Sequence, residues 1–211
     1  MHSNLQHVSI SYLESTPPAA TGAEQKQKPP VLFLHGQAFT STIWEETGTL
    51  KLVASLGHRA VAVDLPGFGR SAKLQSQGER ETEGELAEFL AQLMQELRLE
   101  RPVLVAPSMS GRYALPFLLN DAPTASQRVR ALVAIAPAAA SNYAPDKYGQ
   151  LNVPVLYVYG ARDDGLGERG AKLFGLVPVV ELRQMEKAGH ACYMEQPDRW
   201  RLLLQAFLQR L

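Results

Sequence analysis

The stretch that decides the fold is Val103-Leu104-Val105-Ala106-Pro107-Ser108-Met109-Ser110-Gly111. The apolar run Val103 to Ala106 predicts a short buried strand, and Pro107 biases Ala106 to the extended backbone that the last residue of a strand needs. From Gly111 to Leu119 the pattern predicts a helix. A strand-to-helix turn tight enough to push the Ser108 hydroxyl out of a sheet brings backbone segments together. The positions two before and two after Ser108 must then be small, and they are Ala106 and Ser110. Ser110 itself falls inside the helix, which leaves Ser108 as the candidate nucleophile. On this segment alone a cap or turn serine is an equal reading.

Outward from this turn, short apolar runs alternate with amphipathic stretches, the pattern of a parallel α/β sheet covered by helices on both faces. Strands are predicted at Val31–Leu34, Arg59–Val63, Val103–Ala106, Ala131–Ile135, Val155–Tyr159 and Val179–Met185, with an edge strand at Val8–Tyr12. Two helices are marked by apolar stripes at i, i+3, i+4 and i+7: Leu86, Phe89, Leu90, Leu93, Met94 and Leu97, then Trp200, Leu203, Leu204, Phe207, Leu208 and Leu211. Further helices are predicted at Ile43–Leu56, Gly111–Leu119 and Glu168–Phe174, and exposed loops at Leu13–Pro30 and Gln75–Gly84. No repeat or boundary interrupts the chain, so residues 1–211 read as one domain.

Composition narrows the function classes. The 21 Lys+Arg balance the 21 Asp+Glu, which gives no electrostatic reason to expect a nucleic-acid partner. One cysteine excludes an intrachain disulfide framework and fits a reducing compartment. Met1–Leu13 lacks the basic and apolar regions of a signal peptide, and the most apolar stretch, Ala131–Ala140, has about half of the ~20 residues a membrane-spanning helix needs. The expectation is no membrane partner. Neither a metal-ligand cluster nor a Gly-rich phosphate loop is present, so no bound cofactor or metal is expected.

Three more segments place chemistry-bearing residues just past predicted strands, on the edge of an open α/β sheet where ligands collect. Val155–Tyr159 runs into Gly160-Ala161-Arg162-Asp163-Asp164, where either aspartate could serve as an acid or simply cap the next helix. Val179–Met185 leads to Ala188-Gly189-His190, and Val31–Leu34 to His35-Gly36-Gln37-Ala38. A fourth segment, Asp64-Leu65-Pro66-Gly67-Phe68-Gly69-Arg70-Ser71, reads as a tight architectural turn.

Together these segments resemble the α/β-hydrolase superfamily, with Ser108 on its nucleophile elbow and the chain order Ser, Asp, His that this fold uses. The elbow departs from the commonest pattern, which has glycine where Ala106 and Ser110 stand. The resemblance implies a catalytic triad of Ser108, Asp163 and His190, an oxyanion hole from the backbone N–H groups of Gln37 and Met109, and a structural His35. The details are similar to the α/β-hydrolase domain-containing protein 14 family: Gly48-Thr49-Leu50, Pro107-Ser108-Met109-Ser110-Gly111, Tyr113-Ala114-Leu115-Pro116-Phe117, Asn142-Tyr143 and Gly189-His190-Ala191-Cys192-Tyr193. One branch of that family carries an N-terminal membrane anchor, which this sequence does not show, so the resemblance implies the cytosolic or nuclear setting of the other branch.

The function expected is a serine hydrolase of short acyl esters. The alternative is an acetyltransferase moving acetyl from a protein lysine to coenzyme A, an activity attributed to the resembling family, with Arg70 and Arg112 as candidate contacts for a phosphorylated acceptor. A second alternative is a non-catalytic binding module on a hydrolase scaffold. The interval Ala136–Pro154 is too short for a lid domain, which predicts an open pocket with Tyr143 and Tyr148 as wall residues. Cys192, near His190 but on no elbow, is expected to pack. Activity should decline as pH falls through the imidazole range, because only neutral imidazole accepts the serine proton.

Overall fold

The structure is a computed structural model that describes residues 2–5, 8–18, 28–74 and 81–211, the first four as backbone only. Its sheet is built, in chain order, from β1 (His2–Leu5), β2 (Val8–Ser15), β3 (Val31–Phe33), β4 (Ala60–Val63), β5 (Val103–Pro107), β6 (Ala131–Ile135), β7 (Val155–Gly160) and β8 (Val180–Met185). Among the described residues these form one eight-stranded sheet in the order β1-β2-β4-β3-β5-β6-β7-β8. From β4 to β8 every pairing is parallel, while β1–β2 and β2–β4 are antiparallel.

Strands buried on both faces explain the unbroken apolar runs that gave them away. Alternate residues serve two cores. Leu32, Val61, Leu104 and Leu132 face a core completed by α3 (Glu83–Glu96), α4 (Gly111–Leu119) and α7 (Leu166–Phe174). Val31, Phe33, Val103, Val105 and Val133 face a second core completed by α1 (Thr42–Glu46), α2 (Thr49–Ser55) and α9 (Pro197–Leu208). The second core holds an aromatic stack of Trp44 on Tyr193, with ring centroids 4.9 Å apart and planes 22° from parallel. Both tryptophans there are fully buried with their N–H satisfied: Trp44 donates to the Leu34 carbonyl at 2.8 Å and Trp200 to Thr49 Oγ1 at 3.0 Å. The short helices α5 (Ala125–Arg128), α6 (Pro145–Gly149) and α8 (Cys192–Glu195) complete the connections.

Several expectations are corrected. Val8–Tyr12 is not at the edge of the sheet, because β1 pairs with it antiparallel on its outer side. Leu13–Ser15, expected in a loop, continue β2 and pair with Ala60–Ala62; of the expected loops, residues 19–27 and 75–80 lie outside the described residues. The helix expected over Ile43–Leu56 breaks into α1 and α2 at Gly48, whose φ of 68° no right-handed helix accommodates. Helix α3 starts earlier than its apolar stripe suggests, because Thr82 and Glu85 form a reciprocal capping box. Between β6 and β7 lie only a 3-10 turn at Ala140–Asn142 and α6, so no lid domain occupies this interval.

Candidate active site

Ser108 leaves β5 with φ at 47°, a left-handed conformation that costs a residue with a Cβ about 1–3 kcal/mol and is held only where the surroundings over-determine it. The surroundings here are close. Ala138 N–H donates to the Ser108 carbonyl at 2.8 Å. A Cβ on Gly111 would lie 2.3 Å from the Ala138 carbonyl oxygen, so only glycine lets α4 approach the turn after β6. The hydroxyl of Ser110, fully buried, donates to the Pro107 carbonyl at 2.7 Å. The departure from glycine at this position is therefore satisfied internally, and Ser110 is not available as a nucleophile.

Asp163 and His190 come to Ser108 from the loops after β7 and β8, on the same edge of the sheet. His190 Nδ1 lies 2.6 Å from Asp163 Oδ2, and Nε2 lies 2.7 Å from Ser108 Oγ. A carboxylate can only accept, so Nδ1 carries the proton and Nε2 is left to accept the Ser108 O–H. The Asp163 side chain is 8% exposed and the His190 ring 43%, an enclosed anchor behind an accessible base. Asp163 also accepts the Leu166 N–H through Oδ1 at 3.2 Å, while its neighbour Asp164 points to solvent. Of the two aspartates the sequence left open, Asp163 is the one that meets His190.

Backbone contacts hold the acid and base loops together. A Cβ on Gly160 would lie 2.0 Å from the Gly189 carbonyl oxygen, and Arg162 N–H donates to the Ala188 carbonyl at 2.9 Å. Gly189 N–H is bonded by the Glu195 carboxylate at 3.1 and 3.0 Å, a restraint on the histidine loop that no motif announces.

The loop after β3 lies against the serine. A Cβ built on Gly36 would sit 3.6 Å from each of Ser108 Cβ, the Phe39 ring and the Tyr193 hydroxyl, in ordinary van der Waals contact with all three. His35 anchors this loop: its Nε2 accepts the Leu65 N–H at 2.9 Å and its Nδ1–H donates to the Gly36 carbonyl at 2.9 Å. Both ring nitrogens are thus used by backbone, and burial pushes the imidazole pKa down against the opposing Gly36 bond and Asp64 charge. His35 is neutral and anchors the loop, the structural place the resemblance implied.

Tyr148 does not wall a pocket. It is fully buried, its hydroxyl donates to the Ala140 carbonyl at 2.7 Å, and its ring packs on Phe174. Tyr143 is half-buried, with its hydroxyl donating to Glu83 at 3.0 Å. Cys192 is buried and its thiol is pushed up to about 12, chiefly by desolvation, which leaves it inert at neutral pH. Arg70 and Arg112 are exposed. No group of His, Cys, Asp and Glu among the described residues could hold a metal ion. No described helix is long and apolar enough to cross a membrane.

What the sequence missed is a cleft of about 380 Å³ beside Gln37, walled by Phe39, Ile43 and Phe68. Seven of its eight lining residues come from the stretch Gln37–Glu46, and Phe68 closes it from the loop after β4.

Comparison with known proteins agrees with this architecture. The family profile described as alpha/beta hydrolase fold matches residues 29–148. The chain is 40% identical over 188 residues to the protein ABHD14A of Mus musculus, covering 89% of this chain and 73% of that one. It is also 40% identical over 195 residues to ABHD14B of Rattus norvegicus, provisionally named a protein-lysine deacylase, covering 92% and 89%. Among solved structures, a CIB-like hydrolase from Thermoplasma acidophilum superposes with a TM-score of 0.85 at 22% identity, covering 100% and 97% of the two chains. The carboxylesterase CesB (YbfK) of Bacillus subtilis does so at 0.79 and 20%, covering 99% and 90%. These matches set aside the reading as a non-catalytic module: a strained serine on the sheet's carboxyl edge sits in a chain that belongs to the ABHD14 family of the α/β-hydrolase superfamily of enzymes.

Proposed function

We propose that the protein is a serine hydrolase of short, acetyl-like acyl substrates, working through Ser108, His190 and Asp163. The observation that carries this reading is the continuous hydrogen-bonded chain from Ser108 Oγ through both nitrogens of His190 to Asp163. Ser108 attacks the acyl carbonyl carbon while His190 Nε2 takes its proton, and Asp163 holds the tautomer and stabilises the imidazolium. The tetrahedral oxyanion is received by the backbone N–H groups of Gln37 and Met109, the first on the loop that touches Ser108 through Gly36, the second directly after the nucleophile. The imidazolium then protonates the leaving group, and water, activated by the same histidine, attacks the acyl-enzyme and frees the acid. The chemistry calls for no resident cofactor. The short connection between β6 and β7 supports small acyl groups.

A second reading, protein-lysine deacylation with coenzyme A as acceptor of the acetyl group, is supported by the name of the ABHD14B relative. Both readings share the acyl-enzyme. For either, an acylated small molecule or protein is the partner, and a cytoplasmic or nuclear setting suits the second. The test is fluorophosphonate labelling with mapping of the modified residue, and, on separate unlabelled protein, acylation followed by deacylation with and without coenzyme A. Modification of Ser108 is expected, and its absence would overturn the assignment. Release of the acyl group in water alone favours the hydrolase, and release only with coenzyme A favours the transferase.

A further inference from the structure

The cleft beside Gln37 has a chemical bias. Its walls are the rings of Phe39 and Phe68 and the side chain of Ile43, its hydroxyls are those of Thr40 and Thr42, and its one charge is the carboxylate of Glu46. A Cβ on Gly36 would lie 3.6 Å from both the Phe39 ring, one wall of the cleft, and Ser108 Cβ, so that wall and the reacting serine flank the same glycine. Glu46 is exposed and makes no ion pair among the described residues. Arg201, which reaches the end of the same helix, is engaged with the Thr47 carbonyl and with Asp198. No lysine or arginine lines the cleft.

Resting on the serine-hydrolase reading above, we propose that this cleft receives the leaving-group portion of the substrate and selects leaving groups that carry a positive charge, with Glu46 as the specificity-determining residue. Size assigns the portion. An acetyl group fills a small part of about 380 Å³, a volume within the range of clefts that hold whole small ligands. Charge assigns the chemistry: an ammonium or guanidinium group meets the Glu46 carboxylate, and the faces of Phe39 and Phe68 attract cations as well. A phosphorylated acceptor entering here would meet a carboxylate and no cation.

The experiment compares acetylcholine with its neutral carbon isostere, 3,3-dimethylbutyl acetate, at low ionic strength. Wild type should favour the cationic ester in kcat/KM by about fivefold, the scale of one partly solvated ion pair. Glu46→Gln should bring that ratio to about one, while Glu45→Gln, on the same helix and outside the cleft, keeps it. Equal use of the two esters by wild type, or a ratio insensitive to Glu46→Gln, would overturn the proposal. If neither ester is turned over, saturation-transfer NMR of choline against 3,3-dimethylbutanol decides: choline binding lost in Glu46→Gln supports the cleft's selectivity, and absence of choline binding ends it. Fluorophosphonate labelling of Ser108 reports independently on the serine-hydrolase reading.

Discussion

Two histidines stand at carboxyl ends of strands in this molecule, each in hydrogen-bond or electrostatic reach of an aspartate, and they lead opposite lives. His35 is fully buried, and backbone groups occupy both its ring nitrogens. His190 is open to solvent on one side, with one nitrogen on a carboxylate and the other on a serine hydroxyl. The aspartates differ likewise. Asp64 accepts the N–H of Ser41 at 2.8 Å and of Arg70 at 3.1 Å, so it ties loops together; Asp163 presents an oxygen to an imidazole. A histidine whose partners are all main chain has no proton to trade, and one whose partners are side chains that can change protonation state does. Residue type is shared, and the partner set separates architecture from chemistry.

The largest test of this contrast is substitution at the outer pair. Ser108→Ala and His190→Ala should each lower turnover of an activated acetyl ester by about 10⁴-fold or more, with the urea midpoint nearly unmoved, since residues of such a unit act together. A variant with Ser108→Ala that keeps wild-type turnover would end the assignment. Next comes Gly160→Ala. Its methyl cannot fit 2.0 Å from the Gly189 carbonyl, so the acid and base loops should part, and activity should fall at least about tenfold even in variant that remains folded by near-UV circular dichroism.

At His35 the effect should move to stability. His35→Ala strands the Leu65 N–H and the Gly36 carbonyl in the interior and should cost about 2–4 kcal/mol by urea unfolding. The folded fraction of that variant should still be labelled by fluorophosphonate at Ser108. Loss of labelling with unchanged stability would reverse the roles given to the two histidines.

The smallest effect is on pH. Burial holds His35 below the ordinary imidazole value, against the pull of the Gly36 carbonyl and Asp64. His58 is lowered too, first by burial and also by Lys28, against its bond to the Pro29 carbonyl. As pH falls below about 6.5 the unfolded chain takes up protons at these sites and the native protein does not. Stability should therefore be complete above that value and decline between it and the lower native values. Urea midpoints at successive pH values measure this, and a rise in stability on acidification would contradict it. Burial alone would raise Asp64, but hydrogen bonds from Ser41 and Arg70 hold it below the ordinary aspartate range, so its contribution is lost only in stronger acid.

The sequence disclosed the parts of this contrast that are local. Buried parallel strands such as Val103–Ala106 announce themselves by apolar runs, and the small residues around Ser108 follow from one tight turn. The structural role of His35 came through the resemblance its contiguous loop motif bears to the α/β hydrolases. Tyr148 misled because a tyrosine in a short connection looks available until α7 is known to pack on it. The Glu195 restraint on Gly189 stayed hidden because its six-residue spacing belongs to no motif, and the cleft because Phe68 must fold against the stretch Gln37–Glu46 to close it.

The contact between Gly160 and Gly189 also sets a rule for transplantation. Acid and base are spaced by main chain against main chain, reinforced by the Arg162 N–H to Ala188 carbonyl bond, so their alignment is a property of two loops seated as one piece. A designer moving this machinery into another scaffold would have to carry residues 160–163 and 185–190 together as a single cassette. Grafting only Asp163 and His190 would import the reagents without the ruler that measures the distance between them.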